Sequence, residues 1–380
     1  MSSKNTNASI CPMKKTSIGG QALIEGIMMK GPKKTSMAVR NPAGEMVIEN
    51  WENDNSSKPK IYRMPFLRGI FGFIDSMKFG YKCLMRSAEI AGLDDIQTNK
   101  ESAPETNISA EADDCTKSVE EITSEENANA DTAEISSSDV NLSESKSAKS
   151  GTNTTQPWVM NAIMAVASVL GVVLAIVLFK GLPEVLYGVL VKLIPTLDGA
   201  GYGYSLIRAV FVGVFRIAIL VAYMSLVSLM KDIKRTFMYH GAEHKSIMCY
   251  EKGLELTVEN VRMQKRFHPR CGTSFLILML IVGIFITMFI PSKLHESEVI
   301  NVLLRTLISL ALLPVMMSIG YELIKLAGKY DNLFTRIISA PGLWLQRITT
   351  REPEDDMIEC AITALKNVIP NDGSDDWNKK

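Results

Sequence analysis

The chain has 380 residues, 41 Lys+Arg against 41 Asp+Glu and 47% hydrophobic residues, mass enough for two or three domains, and its zero net charge excludes nonspecific nucleic-acid binding driven by overall charge. That balance averages two opposites, because residues 94–155 carry 15 acids and 4 bases, net −11, and leave the remainder at +11. Six cysteines, at 11, 83, 115, 249, 271 and 360, form no C-x-x-C pair and read as reduced thiols of a cytosol-facing protein.

The polar N-terminus has Lys14 and Lys15 but no apolar run behind them, so it does not read as a signal peptide and is expected to stay in the cytoplasm. Residues 16–52 predict a small β-rich unit. Met37-Ala-Val-Arg40 and Met46-Val-Ile-Glu-Asn-Trp51 flank the turn Asn41-Pro-Ala-Gly-Glu45, a strand-turn-strand pattern. Before it, Ile18 to Pro32 holds four glycines and a proline in 15 residues, which suits short strands joined by close turns. From Ile61 to Ala91, bulky apolar residues alternate at helical spacing with Arg63, Arg68, Lys78, Lys82 and Arg86, an amphipathic segment for a membrane surface or the spans. Residues 16–92 thus form one cytoplasmic N-terminal unit. The acidic tract 94–155, almost without aromatic residues, reads as a disordered linker.

Four membrane spans are expected within 158–323. Trp158 to Phe179 is free of charge over 22 residues, enough at about 1.5 Å per residue to cross a core of roughly 30 Å. The others are Leu206–Met230, with Arg208 and Arg216 inside it, Thr273–Ile290, and Val299–Leu323, which carries Arg305, Pro314 and Glu322. Leu182–Leu197 is apolar too, but Glu184, Lys192 and two prolines make it read as an interfacial or re-entrant piece. Arg216 is expected to pair with Glu184 or Asp198, or to snorkel. The segment Lys231–Gly272 contains nine bases against few in the other connections. Positive charge marks cytoplasmic loops, so the N-terminus, this central loop 231–272 and the C-terminus are all placed in the cytoplasm of a multi-pass cell-membrane protein. The C-terminal region, 324–370, ends in a short helix that begins at the acids after Pro353 and buries Ile358, Ala361, Ile362 and Leu365.

Three of the four histidines, His240, His244 and His268, fall within 29 residues of that central loop. His240 and His244, four apart, project from one helix face at a spacing suited to one metal ion, with Glu243 beside them. The order H-x-x-E-H is that of inverted zinc peptidase motifs, in which the glutamate is general base to a water activated by the metal. His268-Pro-Arg-Cys271 adds an imidazole and a thiol, completing a tetrahedral set typical of zinc. Glu322, at the end of the last span, is a second candidate ligand. Four ligands including Cys271 imply a closed structural zinc, and fewer an open reactive site. The bases have their own bland origin as the positive-inside signal, and Arg262, Lys265, Arg266 and Arg270 are also candidates for an anionic lipid headgroup. His295, in the predicted outside loop, is excluded by topology.

Four motifs, Gly19 to Pro32, Tyr239-His-Gly-Ala-Glu-His-Lys245, His268-Pro-Arg-Cys-Gly-Thr-Ser274 and Ala340 to Pro353, resemble the YqhQ-like bacterial membrane proteins, a domain-of-unknown-function family usually described as predicted metal-dependent enzymes. The resemblance covers about 16–92 and 155–368, with the acidic tract as an insertion. It implies a membrane-bound, metal-associated protein with functional positions at Glu25, His240, Glu243, His244, His268 and Cys271, and supplies no substrate. The combined expectation is a mostly α-helical polytopic protein with a cytoplasmic β-rich unit. Zinc or another divalent transition metal is held by His240, His244, His268, Cys271 or Glu322, and Glu243 is the catalytic base of a hydrolase. The alternative is a membrane scaffold with a structural zinc, recruiting a protein partner through the N-terminal unit or the acidic linker. Membrane lipids are expected partners and nucleic acid is not.

Overall fold

The computed structural model describes residues 15–53, 67–92, 157–197, 201–330 and 332–376, with the single positions 59, 62, 64 and 199. The expected acidic linker at 94–155 and Asp198 lie outside the described residues.

Strands β1 (Gly19–Leu23), β2 (Gly26–Lys30), β3 (Lys34–Arg40) and β4 (Met46–Glu52) form an antiparallel meander in sequence order. Arg40 pairs with Met46 across the expected turn, where Gly44 takes φ 85° and the Asn41 side chain accepts from Glu45 N at 2.8 Å. Both faces of the sheet are covered, so alternate residues enter different cores. Ile27, Met29 and Ala38 pack against helices α5 (Lys231–Glu251) and α11 (Asp355–Val368). Leu23, Met28, Met37 and Val39 pack on the other face, with Cys83, Phe79 and Leu84 of α1 (Leu67–Ile90).

The amphipathic segment is thus one helix that covers the sheet. Its three glycines do not break it, and two of them give close approach, Gly69 to Tyr321 and Gly80 to Gln21. α11 begins at the predicted acids and buries the predicted face, with Met357, Ile358, Ala361 and Leu365 at 0% exposure. The sheet, α5 and α11 therefore share one apolar core, placing the N-terminal, central and C-terminal segments in a single packed body.

The apolar helices differ from expectation in two places. α2 (Pro157–Ile176) passes through a π turn at Val177–Gly181 directly into α3 (Leu182–Leu193). The piece expected to be interfacial or re-entrant therefore continues the first apolar helix. Pro183 sits in the first turn of α3, where a missing N–H costs little. The other difference is length: α7 (Gly272–Thr287) has 16 residues, about 24 Å, shorter than a bilayer core. Among the described residues, Val166–Leu193 and α4 (Tyr202–Val227) are long and apolar enough to cross a membrane. A third candidate is the pair α8 (Glu298–Ala311) and α9 (Leu313–Lys329), bent by 47° next to Pro314. The count is two to three rather than four. Leu220, Ile277 and Leu345 tie α4 and α7 to α10 (Leu333–Thr349), while Leu226, Phe289, Leu307, Leu333 and Ile337 are exposed, a larger apolar surface than a monomer keeps in water.

Candidate metal centre

The expected central loop is largely the helix α5, followed by a short helix α6 (Val258–Arg262). Gly241, a poor helix former, is required there by a crossing strand of chain. A Cβ at this position would run into the Arg351 carbonyl, whose own N–H donates to Phe237 O at 2.8 Å. The same crossing delivers the Thr349 carbonyl to His240, which donates to it from Nδ1 at 2.8 Å. His244 donates from Nδ1 to the Arg266 carbonyl at 2.6 Å. Carbonyls only accept, so both rings carry their proton on Nδ1 and keep the Nε2 lone pair free when neutral.

Those lone pairs converge on Cys271, the residue that caps the N-terminus of α7. His240 Nε2 lies 3.1 Å from Cys271 Sγ, and the ligand atoms of His240, His244 and Cys271 all fall within 4.8 Å of one another. In a tetrahedral zinc site, donors at Zn–N and Zn–S bonding distances stand about 3.3–3.7 Å apart. His244 is 1% exposed, and its Nε2 is buried without a hydrogen-bond partner. An orphaned imidazole nitrogen facing a thiol and a second imidazole is what a soft divalent metal satisfies, and Nδ1–H donation to carbonyls is the usual support for such ligands.

Without metal the electrostatics describe a thiolate paired with an imidazolium, whose Nε2 proton a bound metal would replace. Burial disfavours the imidazolium, but the Cys271 sulfur outweighs it and pushes His240 up to about 9. Burial likewise raises the thiol, and His240 and His244 overcome this to hold Cys271 well below its ordinary value. A thiolate is the metal-binding form.

Glu243 lies next to this trio. Its carboxylate accepts from Gly20 N at 3.0 Å, and a Cβ on Gly20 would collide with it and with the Met28 carbonyl. Gly20 of the N-terminal motif therefore makes room for the glutamate. Burial raises the Glu243 pKa, against the pull of both histidines, which is the direction a proton-transfer group needs. A cavity of about 700 Å³ opens here, lined by Gly20, Asp75, Glu243, His268, Arg270 and Cys271, among others.

Not every expected residue joins the trio. His268 faces Glu251, with Nε2 3.3 Å from the carboxylate, and Arg270 pairs with the same acid. Its ring remains 5.8 Å from that of His244. Burial and the Arg270 charge keep His268 low, while burial of Glu251 is overcome by His268 and Arg270, leaving that acid below its ordinary value. Glu322 stands apart from the ligand atoms: both of its oxygens take the guanidinium of Arg68, joining α9 to α1. His295 is also elsewhere, accepting from Ser297 N. Arg262 pairs with Asp355 and Arg266 with Glu352, so three of the four bases set aside for a headgroup already hold carboxylates.

Glu251 and Gln346, which were not anticipated, and Glu25, which the resemblance marks, surround the site. Glu251 lies seven positions after His244 on the same helix, a spacing that was available. Gln346, fully buried, clamps the His268 backbone through both amide atoms, at 2.8 Å and 2.7 Å, and donates to Ser274 Oγ at 3.0 Å. Glu25, in the β1–β2 turn at φ 51°, takes Arg235 through two bonds of 2.6 Å and Tyr239 at 3.3 Å. It locks the first hairpin onto the helix that carries the histidines.

Residues 64–371 match the family described as protein of unknown function (DUF1385). The chain belongs to the DUF1385 family. The chain is 30% identical over 366 residues to the uncharacterized protein YqhQ of Bacillus subtilis (strain 168), covering 95% of each chain. No solved structure matches the chain. The family match covers the histidine helix, Cys271 and the crossing segment at Thr349, and the similarity to YqhQ extends over the N-terminal hairpin as well.

Proposed function

We propose that this DUF1385 protein is a membrane-associated, metal-dependent hydrolase. His240 Nε2, His244 Nε2 and Cys271 Sγ would hold a divalent transition metal, with zinc the best fit to a two-nitrogen, one-sulfur donor set. Three protein donors leave a fourth position open, the arrangement of catalytic rather than structural sites. The bound metal would supply Lewis-acid activation of water. Glu243, beside the trio and facing the cavity, is the group placed to accept a proton and return it to a leaving group. The basic bias of Lys231–Gly272 supports a cytoplasmic face for this chemistry, where the substrate would be a peptide or lipid-linked ester. The observation that carries the reading is the buried, unpartnered Nε2 of His244.

The second reading, a closed structural zinc in a scaffold, draws on His268, whose ring lies 5.8 Å from that of His244 and would become the fourth ligand on leaving Glu251. Metal content of detergent-purified protein prepared without chelator decides between them. The proposal expects about one zinc per chain, lost in His244→Ala and Cys271→Ser and retained in Glu243→Gln and His268→Ala. Loss in His268→Ala favours the structural site. Absence of stoichiometric metal from the wild type overturns both.

A further inference from the structure

Remote from the histidines, five ionisable side chains converge among the apolar helices: Lys180 in the π turn, Glu184 of α3, Arg208 and Arg216 of α4, and Arg305 of α8. Their charges do not balance. Among the described residues one carboxylate serves four cations, with Glu184 taking Arg208 at 2.9 Å and Arg216 at 3.7 Å. Arg305 donates from one nitrogen to the carbonyls of Ile290 and Pro291. Arg216 and Arg305 are 9% and 5% exposed, and the Nε of each is buried without a hydrogen-bond partner. Lys180, Glu184, Arg216 and Arg305 line a cavity of about 10 Å³, room for about one oxygen-sized atom.

Buried charge is normally paired, because an uncompensated ion in an apolar setting is among the costliest arrangements a fold can carry. Here the excess is positive, and the unused N–H groups mark where a counter-charge belongs. Guanidinium groups present flat forks of donors that match oxyanions, with phosphate foremost among them. We infer that this cluster binds a phosphate-class oxyanion, one oxygen seated between Lys180, Arg216 and Arg305, supplied by an anionic lipid headgroup or by free phosphate.

Location is consistent with either source. Arg208 lies roughly two turns into α4, at the end away from α5. Arg305 holds the 290–291 turn that joins α7 to α8, at the end of α7 opposite Cys271. The site therefore sits toward the membrane face remote from the metal centre, and it is independent of the hydrolase reading.

Two arms test it on the full-length protein. Delipidated protein in neutral detergent is titrated with inorganic phosphate by calorimetry. In parallel, protein in phosphatidylcholine nanodiscs with and without phosphatidylglycerol is examined by native mass spectrometry. Saturable phosphate binding identifies the free ion, and retained phosphatidylglycerol identifies the headgroup. In whichever arm is positive, Arg216→Gln and Arg305→Gln should weaken binding about tenfold or more, as expected for a lost charge-assisted bond. Glu184→Gln, which removes the competing carboxylate, should tighten it. Arg216→Lys keeps the charge without the fork and should fall between, which guards against loss of fold in the glutamine variants. No binding in either arm, or wild-type binding by both glutamine variants, overturns the inference.

Discussion

At the scale of single residues, the site depends on positions where two pieces of backbone come too close for a side chain. Gly241 is the clearest, since an alanine in the middle of an exposed helix gains about 1 kcal/mol over glycine. Here a Cβ would meet the Arg351 carbonyl, which is backbone and held by its bond to Phe237. Gly241→Ala is therefore expected to destabilise by roughly 1–3 kcal/mol, the usual range for forcing atoms into packed space. It should also lower metal occupancy, because the displaced segment carries the Thr349 carbonyl that orients His240. Denaturant unfolding and metal analysis of the same preparation check both. A variant more stable than the wild type would show that the crossing is not rigid. That His240 and His244 lie side by side is legible from their spacing of four, and that Glu243 lies beside them from its place between the two. For Glu322 the sequence does not disclose its partner: Arg68, 254 positions earlier, occupies both of its oxygens. His268 was read from the proximity of Cys271 in sequence, whereas its ring turns to Glu251 on α5.

At the scale of elements, the segment between α10 and α11 is held by charge rather than by apolar burial. Glu352 receives Lys245 at 2.6 Å and Arg266 at 3.0 Å, tying that segment to α5 and to the chain before α7. Burial alone would raise the carboxyl, but the Lys245 and Arg266 contacts prevail and hold it below its ordinary value. A depressed carboxylate contributes stability above its unfolded pKa of about 4.3 and loses it as pH falls through the lower folded value. Glu352→Gln should accordingly be less stable than the wild type at neutral pH, with the difference closing below about pH 4. The Glu352 side chain is 64% exposed, so the neutral-pH difference should be about 1 kcal/mol or less. Thermal unfolding across this pH range measures it, and a constant offset at all pH values would refute the electrostatic account. Elements themselves were legible in proportion to their local signal. The turn at Asn41–Glu45, the α11 start and the Tyr202–Val227 span announce themselves by turn chemistry, acids at a helix start and apolar length. The continuity of α2 into α3 did not, because Pro183 and Glu184 look like a break in sequence. A π turn accommodates the proline, while Arg208 and Arg216 neutralise the glutamate. The bend at Pro314 was hidden for the opposite reason, since hydropathy averages across it.

At the scale of the whole molecule, one apolar core constrains topology more tightly than loop charges do. Ile27 and Met29 of the sheet, Ile247 of α5 and Leu365 of α11 belong to the same buried cluster, so the segments that carry them must lie on one side of any membrane the chain crosses. Val166–Leu193 and Tyr202–Val227, each long enough to cross, lie between the sheet and α5, so whatever membrane the chain crosses between the sheet and the histidines it must cross an even number of times. If it leaves again at Gly272, it must return before α11, the element that shares the sheet's core, so the stretch from α7 through the bent α8–α9 pair to α10 has to go in and come back. α7 is too short to cross a full bilayer core unaided, and a return through a bent helix pair suits a shallower or locally thinned passage. Labelling by a membrane-impermeant maleimide tests this in cells after Cys11 and Cys115 are replaced by serine, the other four cysteines being buried. Cysteine at Ser297, in the turn before α8, should be labelled in intact cells if this passage reaches the far face. Cysteine at Glu359, exposed on α11, should be labelled only after permeabilisation. Labelling of both sites from the same side would mean that α7, α8 and α9 lie on the membrane as a re-entrant layer and that the two long helices alone cross it. The cation cluster favours full passage: Arg305 of α8 lies with Arg208 and Arg216 of α4 around Glu184, and if α4 crosses the membrane, four cations there are tolerable only where protein and a counter-ion, rather than lipid tails, surround them.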